Sequence, residues 1–89
     1  MGLNPELTRT RLTDLGPGQS GTIDEIFLPP EAQQFVTRFG LYPGMEIRFS
    51  RSAPMGDPRT YLVDGAEIAL RSETAQQIFV IQSHPEDAP

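Results

Sequence analysis

Cysteine and lysine are missing from this 89-residue chain, and histidine occurs once. Without cysteine there is no disulfide framework and no thiolate metal site. A chain of this length supports one domain. Such a domain buries only about 60–65% of its unfolded surface, so its core is thin and leaves no room for a deep catalytic cleft. No stretch approaches the ~18 consecutive apolar residues of a membrane-crossing helix, and direct membrane insertion is not expected. The first residues lack the basic segment and apolar core of a secretory signal. A small domain free of disulfides fits a reducing cytoplasm, which is the expected location.

Chemistry-bearing constellations are equally scarce. The single His84 stands beside Pro85, Glu86 and Asp87, with no second histidine to share a metal; it reads as a solvated residue, and neither a metal site nor a cofactor is expected. Asp24-Glu25 and Glu86-Asp87 lack the alternating oxygens and central glycine of a calcium loop. There is no G-x-S-x-G elbow around a serine nucleophile. Gly16-Pro17-Gly18-Gln19-Ser20-Gly21 has the spacing of a dinucleotide fingerprint. Pro17 removes a backbone donor from it, however, and no helical pattern follows to receive a phosphate. No catalytic residue is assigned, and the chain is not expected to be an enzyme.

All seven bases are arginine, against twelve acids, for a net charge of −5. The acidity sits at the two ends of the chain, and the centre, residues 38–71, is nearly balanced. Arginine and aromatic residues interleave as Arg38-Phe39, Arg48-Phe49 and Arg59-x-Tyr61, a pattern that can stack single-stranded nucleic acid. An acidic protein repels phosphate backbones, so these read as core aromatics with solvated neighbours, and nucleic acid is not an expected partner.

What is present is turn chemistry and short strands. Residues 1–10 carry no periodicity and are expected to form a flexible lead-in, followed by a domain over residues 11–82 and a disordered tail over 83–89. Leu12 to Gly18 reads as an extended segment entering a Pro17-Gly18 turn. Thr22 to Leu28 reads as a strand with a bulge, because Ile23 and Ile26 break strict alternation. Pro30 to Phe39 is the expected helix: Pro30 can take the first position, and Ala32, Phe35, Val36 and Phe39 form one apolar stripe. Gly40 is expected in the left-handed conformation that closes it, with Leu41 packing back on Val36.

Pro43-Gly44 fits the centre of a type II turn. Met45 to Ser52 follows as a strand buried on the side of Met45, Ile47 and Phe49. Arg59–Val63 and Ala66–Leu70 are strands joined by Asp64-Gly65, which suits the positive φ angles of a type I′ hairpin. Ser72 is placed to cap a further helical turn, about Glu73 to Gln77. Ile78 to Ile81 is apolar on both faces and reads as a central strand. Together these describe a mainly β fold, a small and partly open barrel with two short helices.

Between the strands, Ala53-Pro54-Met55-Gly56-Asp57-Pro58 is too broken by proline and glycine to be helix or ladder. Met55 at its centre has two readings, a plug folded into the barrel end or an apolar tip preorganised for a partner. Tyr42, held extended by Pro43, likewise either packs on the helix or presents its ring.

The run Gly40-Leu41-Tyr42-Pro43-Gly44, the strand after it and the Ala53–Pro58 loop resemble the signature of the FeoA family, ferrous iron transport protein A. The resemblance extends upstream to Leu12-x-x-Leu15-x-Pro17-Gly18-Gln19-x-Gly21-x-Ile23. Downstream it takes in Gly65-x-x-Ile68-Ala69-Leu70-Arg71-x-x-x-Ala75-x-x-Ile78-x-Val80. It implies an SH3-like barrel with an inserted helix, and a cytoplasmic accessory role in bacterial ferrous iron uptake. The implied partner is the cytoplasmic GTP-binding domain of the FeoB transporter. Leu41, Tyr42, Pro54, Met55, Gly56, Asp57 and Pro58 are the candidate partner-binding residues. The chain departs from the family in its helix, which carries Phe35 and Phe39 where leucine is frequent, and only Arg38 of the usual bases. Related domains end iron-dependent repressors, so the alternative is a stand-alone, metal-responsive regulatory domain.

Overall fold

The computed structural model describes residues 7–83. Six antiparallel strands form one sheet: β1 (Leu7–Arg11), β2 (Ser20–Ile26), β3 (Glu46–Ser52), β4 (Arg59–Val63), β5 (Ala66–Leu70) and β6 (Ile78–Ser83). Their spatial order is β1-β6-β2-β3-β4-β5, which leaves β1 and β5 as its two edges. Two helices interrupt the meander, α1 (Pro30–Arg38) between β2 and β3, and α2 (Ser72–Ala75) between β5 and β6. The sheet wraps one core of aliphatic residues with Phe49 and Tyr61, among them the fully buried Leu12, Leu41, Ile47, Ala75, Ile78 and Val80.

The expected turns form as read. Gly18, Gly44 and Gly65 have φ of 81°, 100° and 82°, and Asp64 reaches 53°. The Gly16–Gln19 and Tyr42–Met45 turns are closed by hydrogen bonds of 2.9 and 3.1 Å. The β2 bulge appears as a register shift against β6 between Ile23 and Glu25. A second shift, between Phe49 and Arg51 of β3, bends that strand against β4.

Gly40 does close α1. Its φ is +90°, its N–H donates to the Thr37 carbonyl at 2.9 Å, and the Leu41 N–H donates to the Val36 carbonyl at 3.0 Å. This pair of bonds is a Schellman ending, which satisfies carbonyls that the helix leaves open. Leu41 and Val36 then both enter the core.

Four expectations need correction. The flexible lead-in expected over residues 1–10 fails from Leu7 onward, because Leu7–Arg11 pairs with β6 in register Leu7↔Ser83 to Arg11↔Phe79; residues 1–6 lie outside the described residues. The extended reading of Leu12–Gly18 fails at its start, where Leu12–Asp14 forms a 3-10 turn; Asp14 Oδ2 accepts from the Thr10 hydroxyl at 2.6 Å and the Arg11 N–H at 3.2 Å. Ser72 is the first residue of α2 rather than its side-chain cap. Residue 83, expected in the tail, instead ends β6; residues 84–89, His84 among them, lie outside the described residues.

Candidate partner-binding surface

The β3–β4 loop is pinned at its neck. The Ala53 N–H donates to the Pro58 carbonyl at 2.9 Å, and the Gly56 N–H donates to the Ala53 carbonyl at 2.7 Å. Pro54 and Met55 therefore sit at the centre of a tight turn, closed by Gly56 at φ +90°. Met55 is 92% exposed. The plug reading is thereby set aside: the methionine stands in solvent rather than in the core.

A third tie comes from Asp57. Its Oδ1 accepts from the Ser72 N–H at 2.8 Å and from the Ser72 hydroxyl at 3.3 Å. The first-turn donors of a helix need an acceptor, and here the loop supplies it to α2 across the fold. Asp57 is thus an anchor of the loop, although it and Pro54, Gly56 and Pro58 remain exposed.

Leu41 and Tyr42 separate from this group. Leu41 is fully buried, so its place among partner-binding residues is withdrawn; the Schellman ending turns its side chain inward. Tyr42 is 46% exposed and available. It precedes β3 whereas Met55 follows it, so the two lie at opposite ends of that strand, roughly 20 Å of extended chain apart. One small contact cannot cover both.

The apolar stripe of α1 is also divided. Val36 enters the core, but Phe35 and Phe39 are 57% and 52% exposed. Val36 is the buried residue of the nine-residue helix, and the two rings pack edge-to-face on each other, centroids 5.0 Å apart. Beside them runs a groove of about 160 Å³ bordered by Glu67, Ile68, Ala69 and Leu70 of β5. The sequence announces this patch only as two phenylalanines, Phe35 and Phe39, four apart on one stripe of the helix.

Two other features escape sequence reading. Arg59 donates from Nε to the Tyr61 hydroxyl at 2.8 Å, and from Nη2 to the Leu15 and Thr13 carbonyls at 3.2 and 3.3 Å. Its guanidinium lies 4.2 Å from the Phe49 ring centroid. Burial pushes the Tyr61 phenol above its ordinary pKa, and the Arg59 hydrogen bond partly offsets this. On the opposite face Arg9 stacks on Phe79 at 4.6 Å and pairs with Asp24 at 2.8 Å and with Glu25. Both arginines serve packing. Among the described residues no three His, Cys, Asp or Glu side chains gather where they could hold a metal ion.

These features define a small SH3-like barrel domain whose exposed specialities are an apolar loop tip and an aromatic pair. The chain belongs to the FeoA family: the FeoA domain model matches residues 10–82. No curated protein sequence matches it. Among solved structures it resembles an iron uptake regulatory protein, FeoA, at 32% identity and a TM-score of 0.74, over 82% of this chain and 96% of that one. It is similar to iron(II) transport protein A from Clostridium thermocellum at 28% identity and a TM-score of 0.76, over 83% of this chain and 45% of the other. A manganese-dependent transcriptional repressor shares the fold at 22% identity and a TM-score of 0.76, over 91% of this chain and 45% of the repressor.

Proposed function

We propose that this chain is a non-enzymatic, cytoplasmic accessory protein of bacterial ferrous iron uptake, and that it binds the cytoplasmic GTP-binding domain of the FeoB transporter through the Pro54–Pro58 loop. Family membership supports the uptake role. The observation that carries the contact is Met55, 92% exposed at the tip of a loop tied at three points. An apolar tip held in one shape loses little conformational entropy on docking. Pro54, Gly56 and Pro58 set the shape, Asp57 anchors it, and Met55 makes the contact.

The test is Met55→Asp, measured for binding to the FeoB cytoplasmic domain by calorimetry and for melting alone. A charge in a desolvated central contact typically costs about 2 kcal/mol or more, roughly 30-fold in Kd. The melting temperature stays within a degree or two, because the side chain is exposed. Unchanged binding would remove the loop from the interface and turn the search to Tyr42 and the Phe35–Phe39 pair.

The second reading, a stand-alone metal-responsive regulatory domain, is favoured by the shared fold with the manganese-dependent repressor. Titration of the isolated protein with Fe²⁺ or Mn²⁺ separates the two: heat of binding supports the sensor, and none supports the interaction module.

A further inference from the structure

We propose that β5 is a docking edge for a second copy of this chain, pairing antiparallel about a two-fold axis at Ala69. The inference is independent of the FeoB reading. Its starting point is the free edge of the sheet. Among the described residues β5 pairs with β4 alone, in register Val63↔Ala66, Leu62↔Glu67, Tyr61↔Ile68, Thr60↔Ala69 and Arg59↔Leu70. Val63 and Ala66 flank a two-residue turn and so form a hydrogen-bonded pair. Alternation along an antiparallel ladder then makes Leu62↔Glu67 and Thr60↔Ala69 the pairs without mutual bonds. The N–H and C=O groups of Glu67 and Ala69 consequently face away from β4, and no other described residue takes them up. An edge of this kind is a template for an added strand.

The side chains select the occupant. Outward along β5 run Glu67 and Ala69, and Arg71 follows the strand's last residue in extended backbone, giving an anion, a small neutral residue and a cation in alternation. Read antiparallel against itself about Ala69, the series sets each Glu67 directly opposite the second copy's Arg71. Cross-strand opposite charges are favourable and like charges are not. Arg71 makes no ion pair among the described residues, while Glu67 is held by Arg51 at 3.2 Å on its other side. At the axis the alanine methyl lets the backbones approach, and each Ala69 exchanges both backbone bonds with its mate. A strand laid there would also roof the groove beside β5 and cover the exposed rings of Phe35 and Phe39. The other edge offers no such match, since β1 carries Arg9 and Arg11 and self-pairing would bring cation against cation.

Sedimentation equilibrium of the full chain, from micromolar to millimolar at low salt, tests this. The wild type associates to a dimer. Arg71→Glu faces Glu67 with a carboxylate at two symmetric positions and raises the dimer Kd by about tenfold or more. The double variant Glu67→Arg with Arg71→Glu reverses both signs and restores the wild-type Kd to within about threefold. Ala69→Pro removes the outward N–H without touching the β4 ladder, so the monomer keeps its fold by circular dichroism while dimerisation is lost. A chain that stays monomeric at millimolar concentration overturns the proposal and leaves the edge to a foreign strand. A dimer indifferent to Arg71→Glu, or one that the double variant fails to restore, overturns it as well.

Discussion

Arg59→Ala removes a single side chain that ties three parts of the fold together, and its cost can be worked from the contacts. The guanidinium donates at 2.8 Å to the hydroxyl of Tyr61, which is fully buried, and at 3.2 and 3.3 Å to the Leu15 and Thr13 carbonyls. Hydrogen bonds that involve a charged group contribute about 1.5–3 kcal/mol net, and an orphaned buried partner costs about 1–3 kcal/mol. The longer carbonyl bonds count for less, and contacts made by one group do not add fully. The expected loss is about 3 kcal/mol. For a domain of this size that lowers Tm by on the order of 15 °C, from a total stability of about 5–15 kcal/mol. Urea denaturation followed by circular dichroism reads the loss directly. Arg59→Lys falls between, since an ammonium reaches one acceptor and cannot spread across the Phe49 ring. A double cycle with Tyr61→Phe isolates the phenol's share, expected at about 1 kcal/mol. Arg59→Ala within 1 kcal/mol of wild type would refute the reasoning and leave the buried hydroxyl without an explanation.

Gly40→Val costs about 1–3 kcal/mol in the same assay, wholly from backbone strain at φ +90°, because a Cβ there would meet only Val63 at an ordinary 3.9 Å; a neutral result would show that α1 ends elsewhere. Asp57→Ala removes the acceptor from the first turn of α2 and costs about 1 kcal/mol, whereas Asp57→Asn, which keeps an oxygen, costs less; equal losses would argue against capping. Stability should also fall above pH 10. Tyr61 is protonated in the fold and has a raised pKa, so the unfolded chain releases its proton first, and the stabilisation present below the phenol's ordinary value of 10.0 is lost as pH climbs from there through the folded pKa. Tyr61→Phe should remove that alkaline slope, which a pH series of urea midpoints measures.

Features set by local chemistry could be read before the fold was seen. A left-handed glycine after a helical pattern, Pro-Gly at a turn centre and Asp-Gly between two alternating runs each answer to steric rules that act over a few residues. For that reason Gly40, Gly44 and Gly65 landed where expected. The strip of Phe35, Val36 and Phe39 failed for the opposite reason. Periodicity says that residues share a face, but not how much of that face another element covers. Here Val36 is the one buried residue of the nine-residue helix, and its two phenylalanine neighbours on the stripe stay half exposed. Strand Leu7–Arg11 was missed because its alternation of threonine and arginine has no apolar face to announce it; pairing with β6 and the stacking of Arg9 and Arg11 on Phe79 hold it in place. Arg59 and Asp57 act on partners 44 to 46 and 15 residues away in the chain. No window along the sequence contains both ends of such a contact.

The candidate site was half legible on the same grounds. Prolines at 54 and 58 and a glycine at 56 announce a stiff loop, but the direction of Met55 depends on where the neck is pinned. That pin is tertiary. Asp57 reaches α2, and α2 in turn packs Ala75 into the core with full burial. A chain of rigid contacts therefore runs from the barrel interior to a methionine two residues beyond the anchor. If Met55 makes the contact with a partner, part of its usefulness lies in that chain: releasing Asp57 from Ser72 frees the turn to sample other shapes, and ordering it again on docking costs affinity. Asp57→Ala should accordingly weaken binding to the FeoB cytoplasmic domain by several-fold even if Asp57 touches nothing there. Asp57→Asn, which preserves the anchor while removing the charge, should bind nearly as the parent. The opposite order, with Asn as damaging as Ala, would mean that the carboxylate itself meets the partner.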